Sequence, residues 1–295
     1  MNFLKYTKLY LLISALVIIP GVISLILYGI KPSIDFVGGS LLEVKFPAET
    51  AVSTQQLKEA VQDTYQLQSV QLSGADRYVL KGEMVQNETK NKILAKLQGT
   101  FQTDVVELRF ETIGPTLSRE LLMKTLTAEA IVAILITGFV ARQFNELKYG
   151  LAAILAMFHD TLVLIGVFSL LGHFMGVEVD ILFVTALLTT LSFSVHDTIV
   201  VFDRIRELKV KNPRTDFKQI LNTGVTETLS RSLNNSMTTI IMLFTLSLLG
   251  GSTIRWFSIA LLVGLISGTY SSPFVAVPLL LLWDKLPSKW RQKRN

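Results

Sequence analysis

The sequence predicts an α-helical membrane protein with six transmembrane helices and one small α+β domain of ferredoxin-like (βαββαβ) order outside the membrane. Three observations lead there. Half of the 295 residues are hydrophobic, and only 17% are charged, against roughly a quarter in soluble domains. The deficit is concentrated in long apolar runs, each near the roughly 20 residues needed to cross a bilayer. Between the first two runs lies a stretch of ordinary soluble composition.

The first run, Leu9 to Ile30, follows Lys5 and Lys8. It exceeds the usual 7–15-residue apolar segment of a secretory signal, and no small-residue cleavage pattern follows, so a retained span is expected. Further spans are expected near 121–141, 149–172, 179–203, 229–249 and 255–283. The fifth is long enough only if the Ser/Thr-rich stretch from Leu229 to Thr239 belongs to it. Pro273 and Pro278 predict a kink in the sixth.

Loop charges set the expected orientation. Lys5 and Lys8 precede span one, and Arg142 and Lys148 separate spans two and three. Arg204, Arg206, Lys209, Lys211, Arg214 and Lys218 lie in a basic loop, 204–228, between spans four and five. Residues 285–295 form a basic tail. The opposite connections hold only His173, Glu178 and Arg255. The positive-inside rule then places both termini in the cytoplasm and the large segment after span one outside. The expected organisation is 1–32 (N-terminus and first span), 33–118 (outer domain), 119–284 (spans two to six) and 285–295 (tail). The net charge of +5 is explained by these basic loops and does not call for nucleic acid.

Within the outer segment, 40–46 reads as a strand and 53–65 as a helix with Ser53 and Gln56 at capping-box spacing. Residues 68–73 and 77–83 read as strands joined by a turn at 73–76. Residues 86–97 read as a helix stopped by Gly99. A last strand is expected over 104–111, with Val105, Glu107 and Arg109 outward and Val106, Leu108 and Phe110 inward. The order βαββαβ is ferredoxin-like, and it supplies a surface rather than a chemistry.

No cysteine is present, which excludes disulfides and thiolate chemistry. No phosphate-binding glycine loop, serine-hydrolase elbow or zinc-protease motif occurs, so an enzyme, a bound cofactor and a metal site are not expected. The residues that call for explanation are ionisable groups inside spans, because each costs about 2.5–3.5 kcal/mol at the bilayer centre on insertion scales. Asp160, preceded by His159, lies midway along span three. Asp197, preceded by His196, lies about two turns above the basic end of span four. Arg231 lies near the start of span five, within expected reach of Asp197. A carboxylate whose arginine partner comes and goes would couple ion passage to a change of shape. A static ion pair joining two helices is the alternative. Asp160, His159 and His196 read as accessory polar positions, the histidines as interhelical hydrogen-bonding groups. Gly264 and Gly268 have the spacing of close helix packing. The hydroxyls of 230–239 either line a hydrated path or bond back to their own helix.

Several stretches resemble one family. Asp35, Phe36, Val37, Gly38 and Gly39 follow span one as the D-F-x-G-G element follows it in the SecD/SecF family of bacterial protein-export membrane proteins. Residues 194–207, with Asp197, Asp203 and Arg204, and residues 228–239, with Arg231, resemble a pair of SecF-type signatures; Asn235 stands where threonine is expected. The resemblance covers essentially the whole chain. It implies an RND-superfamily half bundle in the bacterial inner membrane, beside SecD and the SecYEG channel, with YajC and YidC as further partners, membrane lipid around it and an unfolded preprotein as client. It implies use of the proton motive force, with Asp197 and Arg231 as the proton-conducting residues; sodium is the alternative ion. A non-conducting scaffold subunit, or half of an RND-type exporter of small molecules or lipids, are the competing readings.

Overall fold

The structure is a computed structural model that describes residues 3–47, 52–73, 76–144 and 146–284. The 73–76 turn, at Gly74 and Ala75, and the basic tail 285–295 lie outside the described residues. The chain divides into two compact units, one of residues 1–30, 129–177 and 182–295, the other of 31–128 and 178–181.

The second unit begins with a one-turn helix α2 (Ile34–Val37), which follows α1 (Thr7–Tyr28). Ser33 caps it by accepting from the Asp35 amide at 3.2 Å. Four strands follow: β1 (Gly39–Lys45), β2 (Leu67–Leu72), β3 (Arg77–Gly82) and β4 (Val106–Ile113), with α3 (Thr54–Val61) and α4 (Asn87–Phe101) in the order βαββαβ. The sheet order is β2-β3-β1-β4, with every pairing antiparallel. This is the expected ferredoxin-like arrangement. Ser53 and Gln56 form the expected capping box, with Ser53 Oγ accepting from the Gln56 amide and Gln56 Oε1 from the Ser53 amide. Leu42, Val44, Leu57, Val61, Leu80, Ile93 and Leu97 pack the core. Burial pushes the Tyr65 hydroxyl pKa well up from its ordinary value, and that hydroxyl donates to the Ser40 carbonyl at 2.9 Å.

Two local expectations are corrected. Gly99 does not stop α4, which continues to Phe101 and ends where Gln102 adopts a left-handed conformation, φ 49°. The alternation expected in β4 is also reversed over its first half. A register shift opposite Glu43 and Val44 skips one β4 residue, Leu108. Val105 is therefore buried, whereas Val106 and Leu108 are exposed; a bulge moves every side chain on one side of it to the other face. The expected boundaries 33–118 also omit a segment, since residues 178–181 complete this unit. Val179 exchanges backbone hydrogen bonds with Ser33 and Lys31 at 2.9 and 2.8 Å. The Ile181 amide donates to Asp35 Oδ2 at 3.1 Å, and Lys81 Nζ meets Glu178 at 2.6 Å.

The first unit is a helical bundle. Among the described residues, six helical segments are long and apolar enough to cross a membrane: α1 with the 3₁₀ turn before it, α5 (Pro115–Gln143), α6 (Leu147–Met175), α7 (Ile181–Lys211), α8 (Phe217–Leu249), and α9 (Ser252–Ser271) continued by α10 (Val277–Asp284). The kink expected from Pro273 is a π-helical turn over Ser272–Ala276; proline lacks the N–H of a regular turn, and the wider turn takes up the break. The stretch 204–228 is not a loop. Residues 204–211 continue α7 and 217–228 begin α8, so only 212–216 are non-helical. Its Glu and Arg/Lys residues pair along and between the helices, as in Arg204 with Glu207 and Glu227, and the charge run is a solvated helix surface. The Ser/Thr-rich 229–239 stretch lies inside α8, as the fifth span required.

Small residues set the helix contacts. A Cβ built on Gly21 of α1 would stand 2.8 Å from the Cα of Gly166 on α6. One on Gly264 would fall on the Thr190 side chain, and Gly268 packs against Ser194. The Gly264/Gly268 spacing thus serves α7–α9 packing inside this chain. One apolar core gathers Phe144, Tyr149, Phe202, Ile205, Leu221 and Leu280, with the Tyr149 and Phe202 ring centroids 5.4 Å apart.

Candidate functional site

The two His-Asp pairs, on successive helices, meet opposite fates. On α6, Asp160 is fully buried and His159 nearly so. Asp160 Oδ1 accepts from Ser267 Oγ at 2.6 Å and lies 3.0 Å from His159 Nδ1. Asp160 Oδ2 accepts from Ser194 Oγ and Ser271 Oγ, both at 2.6 Å. His159 Nε2 lies 3.0 Å from Ser14 Oγ. Groups from α6, α7 and α9 therefore converge on the Asp160 side chain, and α1 joins the cluster through His159. An isolated carboxylate in a dry interior is very costly, but an ionised carboxylate offers about four acceptor positions, and all four are filled here.

On α7, His196 is exposed and Asp197 is half-buried. Ser194 and Thr198 flank them on the buried side. Thr198 Oγ1 donates to the Ser194 carbonyl and stands 2.9 Å from Ser272 Oγ. Among the described residues, Asp197 makes neither a hydrogen bond nor an ion pair. His196 lines a groove with Leu135, Phe139 and Ile199.

Arg231, on α8, is exposed. It lines a cleft with Val200, Asp203, Arg204, Glu207 and Glu227. The expected Asp197–Arg231 ion pair is not formed. The cleft begins one turn beyond Asp197 at Val200, and its arginine at 204 is engaged by Glu227 at 2.6 Å. Asp203 pairs with Arg206 at 3.2 Å along its own helix. The carboxylate and the guanidinium thus lie on successive helices, α7 and α8, with no ion pair between them.

Asp35, Gly38 and Gly39 have structural roles inside the second unit. Asp35 holds the Ile181 amide. Gly38 and Gly39 have φ of 80° and 131°, and a Cβ on Gly39 would stand 2.5 Å from the Gly82 carbonyl oxygen. Only glycine fits both requirements. Of the hydroxyls in 230–239, Thr238 and Thr239 bond back to the Asn235 carbonyl. Ser236 instead accepts from Thr269 of α9 at 2.7 Å.

Ser14, Ser267 and Ser271 escaped sequence reasoning, and Ser194 was seen only as part of a motif. The available signal was weak: single serines within apolar spans, two of them at i and i+4.

The model of the SecD/SecF C-terminal region of protein export membrane proteins matches residues 92–286, and the SecD/SecF GG motif matches 23–46. Protein translocase subunit SecF of Thermobaculum terrenum is 40% identical over 96% of this chain and 94% of its own length. SecF of Anaerolinea thermophila is 37% identical over 99% and 96%. In Bacillus subtilis the similar protein is named translocase subunit SecDF; it is 33% identical, and this chain spans 38% of its length. The crystal structure of SecDF from Thermus thermophilus, described as a translocon-associated membrane protein, superposes with a TM-score of 0.86 at 28% identity over 97% of this chain and 39% of that one. The sequence signatures, the six spans, the ferredoxin-like domain and these matches together show that the chain belongs to the SecD/SecF family of protein-export membrane proteins.

Proposed function

We propose that this chain is the SecF-type subunit of a two-subunit accessory complex of the Sec translocase, in which the proton motive force helps to complete the outward passage of unfolded preproteins through SecYEG. The observation that carries the ion-coupling step is Asp197: a half-buried carboxylate in a candidate span, with no hydrogen bond or ion pair among the described residues, about one turn from a charged cleft that contains Arg231. A membrane-embedded carboxylate left unpaired is costly unless it binds something in turn. A proton arriving at Asp197 removes that cost. Departure of the proton restores it and favours approach of the Arg231 guanidinium. Alternation between the two states gives α7 and α8 two settings, the minimum that a gradient-driven cycle needs. The subunit carries out no bond-making chemistry of its own.

SecD is the proposed partner because SecDF relatives join both parts in one chain, and this chain covers only the SecF-like portion of them. YajC and YidC are proposed as further neighbours. Both termini face the cytoplasm on the positive-inside rule, with the ferredoxin-like domain outside, where it would meet the emerging client.

The test uses inverted inner-membrane vesicles that contain this chain with its SecD partner. A precursor is stalled part-way, ATP is removed, and a proton gradient is imposed without sodium. Wild type should complete export, and Asp197→Asn should not, at equal levels of assembled protein. Equal completion by both would sink the coupling role and leave a scaffold. Completion only when sodium is supplied would replace the ion and keep the residue.

A further inference from the structure

The hydrogen bonds around Asp160 lead to a role distinct from ion carriage. Asp160 is met by four polar groups, whereas Asp197 meets none among the described residues, and the two are linked through one residue. Ser194 is fully buried, donates to Asp160 at 2.6 Å, and precedes Asp197 by three residues, which is about one helical turn. On the same face of α7, Thr190 is packed against Gly264 and Thr198 meets Ser272. The inner face of α7 is thus met at Thr190, Ser194 and Thr198 by α9, by α6 and by the π-helical turn after α9, and of these contacts only that of Ser194 with Asp160 involves an ionisable group. The rotational setting of α7 decides how far Asp197 is turned out of the protein interior.

We infer that Asp160 is a positioning residue for Asp197: it pins α7 through Ser194, and so fixes the depth at which Asp197 takes up and releases its ion. The inference rests on the coupling role proposed for Asp197. Ionisable groups on the surrounding helices are His159 and Tyr270 beside Asp160, whose rings are 6.3 Å apart, and His196, Glu227 and Arg231 on the side of Asp197.

The cluster offers an internal control. Ser194 and Ser267 each donate one 2.6 Å hydrogen bond to Asp160, but only Ser194 belongs to the helix that carries Asp197. Gradient-driven completion of a stalled precursor is measured against cytoplasmic-side pH in vesicles with the SecD partner. Ser194→Ala should move the midpoint of the pH profile by about one unit, since the surroundings of an embedded carboxylate shift its titration by that order or more. Ser267→Ala should lower the amount of folded protein to a similar extent and leave the midpoint in place. Asp160→Asn, which keeps the shape of the side chain, should move the midpoint as Ser194→Ala does. Equal midpoints in wild type and Ser194→Ala, or equal shifts for the two serine variants, would overturn the inference. So would loss of all gradient dependence at every pH in Asp160→Asn with assembly intact, because Asp160 would then be a carrier. If Asp197→Asn exports like wild type, the coupling role itself falls and takes this inference with it, a result separable from the others by that variant alone.

Discussion

Gly21 of α1 and Gly166 of α6 stand backbone to backbone, so close that a methyl group on either would come within 2.8 Å of the other's Cα. The approach lets Ser24 and Ser169, one turn along, share a 2.8 Å hydrogen bond, and lets Ser169 donate to the Gly29 carbonyl at 2.7 Å. In hydrocarbon there is no hydrophobic drive between helices, so association depends on such close packing and on hydrogen bonds. Gly166→Ala should destabilise the bundle by about 1–3 kcal/mol, the usual cost of overpacking. The thermal-unfolding midpoint of the purified protein in detergent reads this directly; an unchanged midpoint would show that α1 is held by its ends alone.

Gly39 offers a sharper backbone test. Its φ of 131° and the 2.5 Å approach to the Gly82 carbonyl exclude any side chain. Gly39→Ala should break the start of β1 and expose the β1–β3 ladder. Amide hydrogen exchange should speed up across 39–45 and 77–82 while exchange in α6 and α7 keeps its wild-type rate.

Lys81 and Glu178 form the most enclosed ion pair among the described residues outside the spans, with side chains 12% and 9% exposed and 2.6 Å apart. Removal of one partner leaves a sheltered charge facing none, which costs more than an exposed pair ever contributes. Glu178→Gln should cost about 1–3 kcal/mol of stability in this unit. The exchanged pair Lys81→Glu with Glu178→Lys should recover part of it. Failure of the exchange to recover anything would assign the cost to Lys31, which also lies 3.8 Å from Glu178.

Arg204 and Glu227 make the opposite case. Their 2.6 Å contact joins α7 to α8, but both side chains are about one-third exposed or more. Solvent-exposed pairs contribute about 0–1 kcal/mol, so Glu227→Gln should leave the thermal midpoint nearly unchanged. A large loss would mean that the cleft around Arg231 is drier than its exposure indicates.

The fold was legible where the signal is one-dimensional. Six apolar runs of spanning length and a capping box at Ser53 and Gln56 need no knowledge of distant residues. The reversal in β4 was not legible, because a bulge opposite Glu43 is decided by pairing between strands more than sixty residues apart. The extension of α7 past Arg204 was hidden because its charges, read along the chain, look like a loop; only their pairing with Glu207 and Glu227 makes them a helix surface. For the candidate site, the cost of buried charge drew attention to Asp160, Asp197 and Arg231, of which the structure buries Asp160 fully, Asp197 in part and Arg231 not at all. It could not tell a carboxylate with four partners from one with none among the described residues, since three of the four are ordinary serines. Nor could it foresee that Asp197 and Arg231 would remain apart in this state.

The wide sequence spacing of the groups that meet Asp160 has a consequence for biogenesis. Ser194 follows it by 34 residues, Ser267 by 107 and Ser271 by 111. When α6 first enters the bilayer during synthesis, the two α9 serines that will donate to its carboxylate do not yet exist. Insertion of α6 thus runs ahead of the solvation it will require, and the nascent chain carries that deficit until α9 has left the ribosome and arrived beside it.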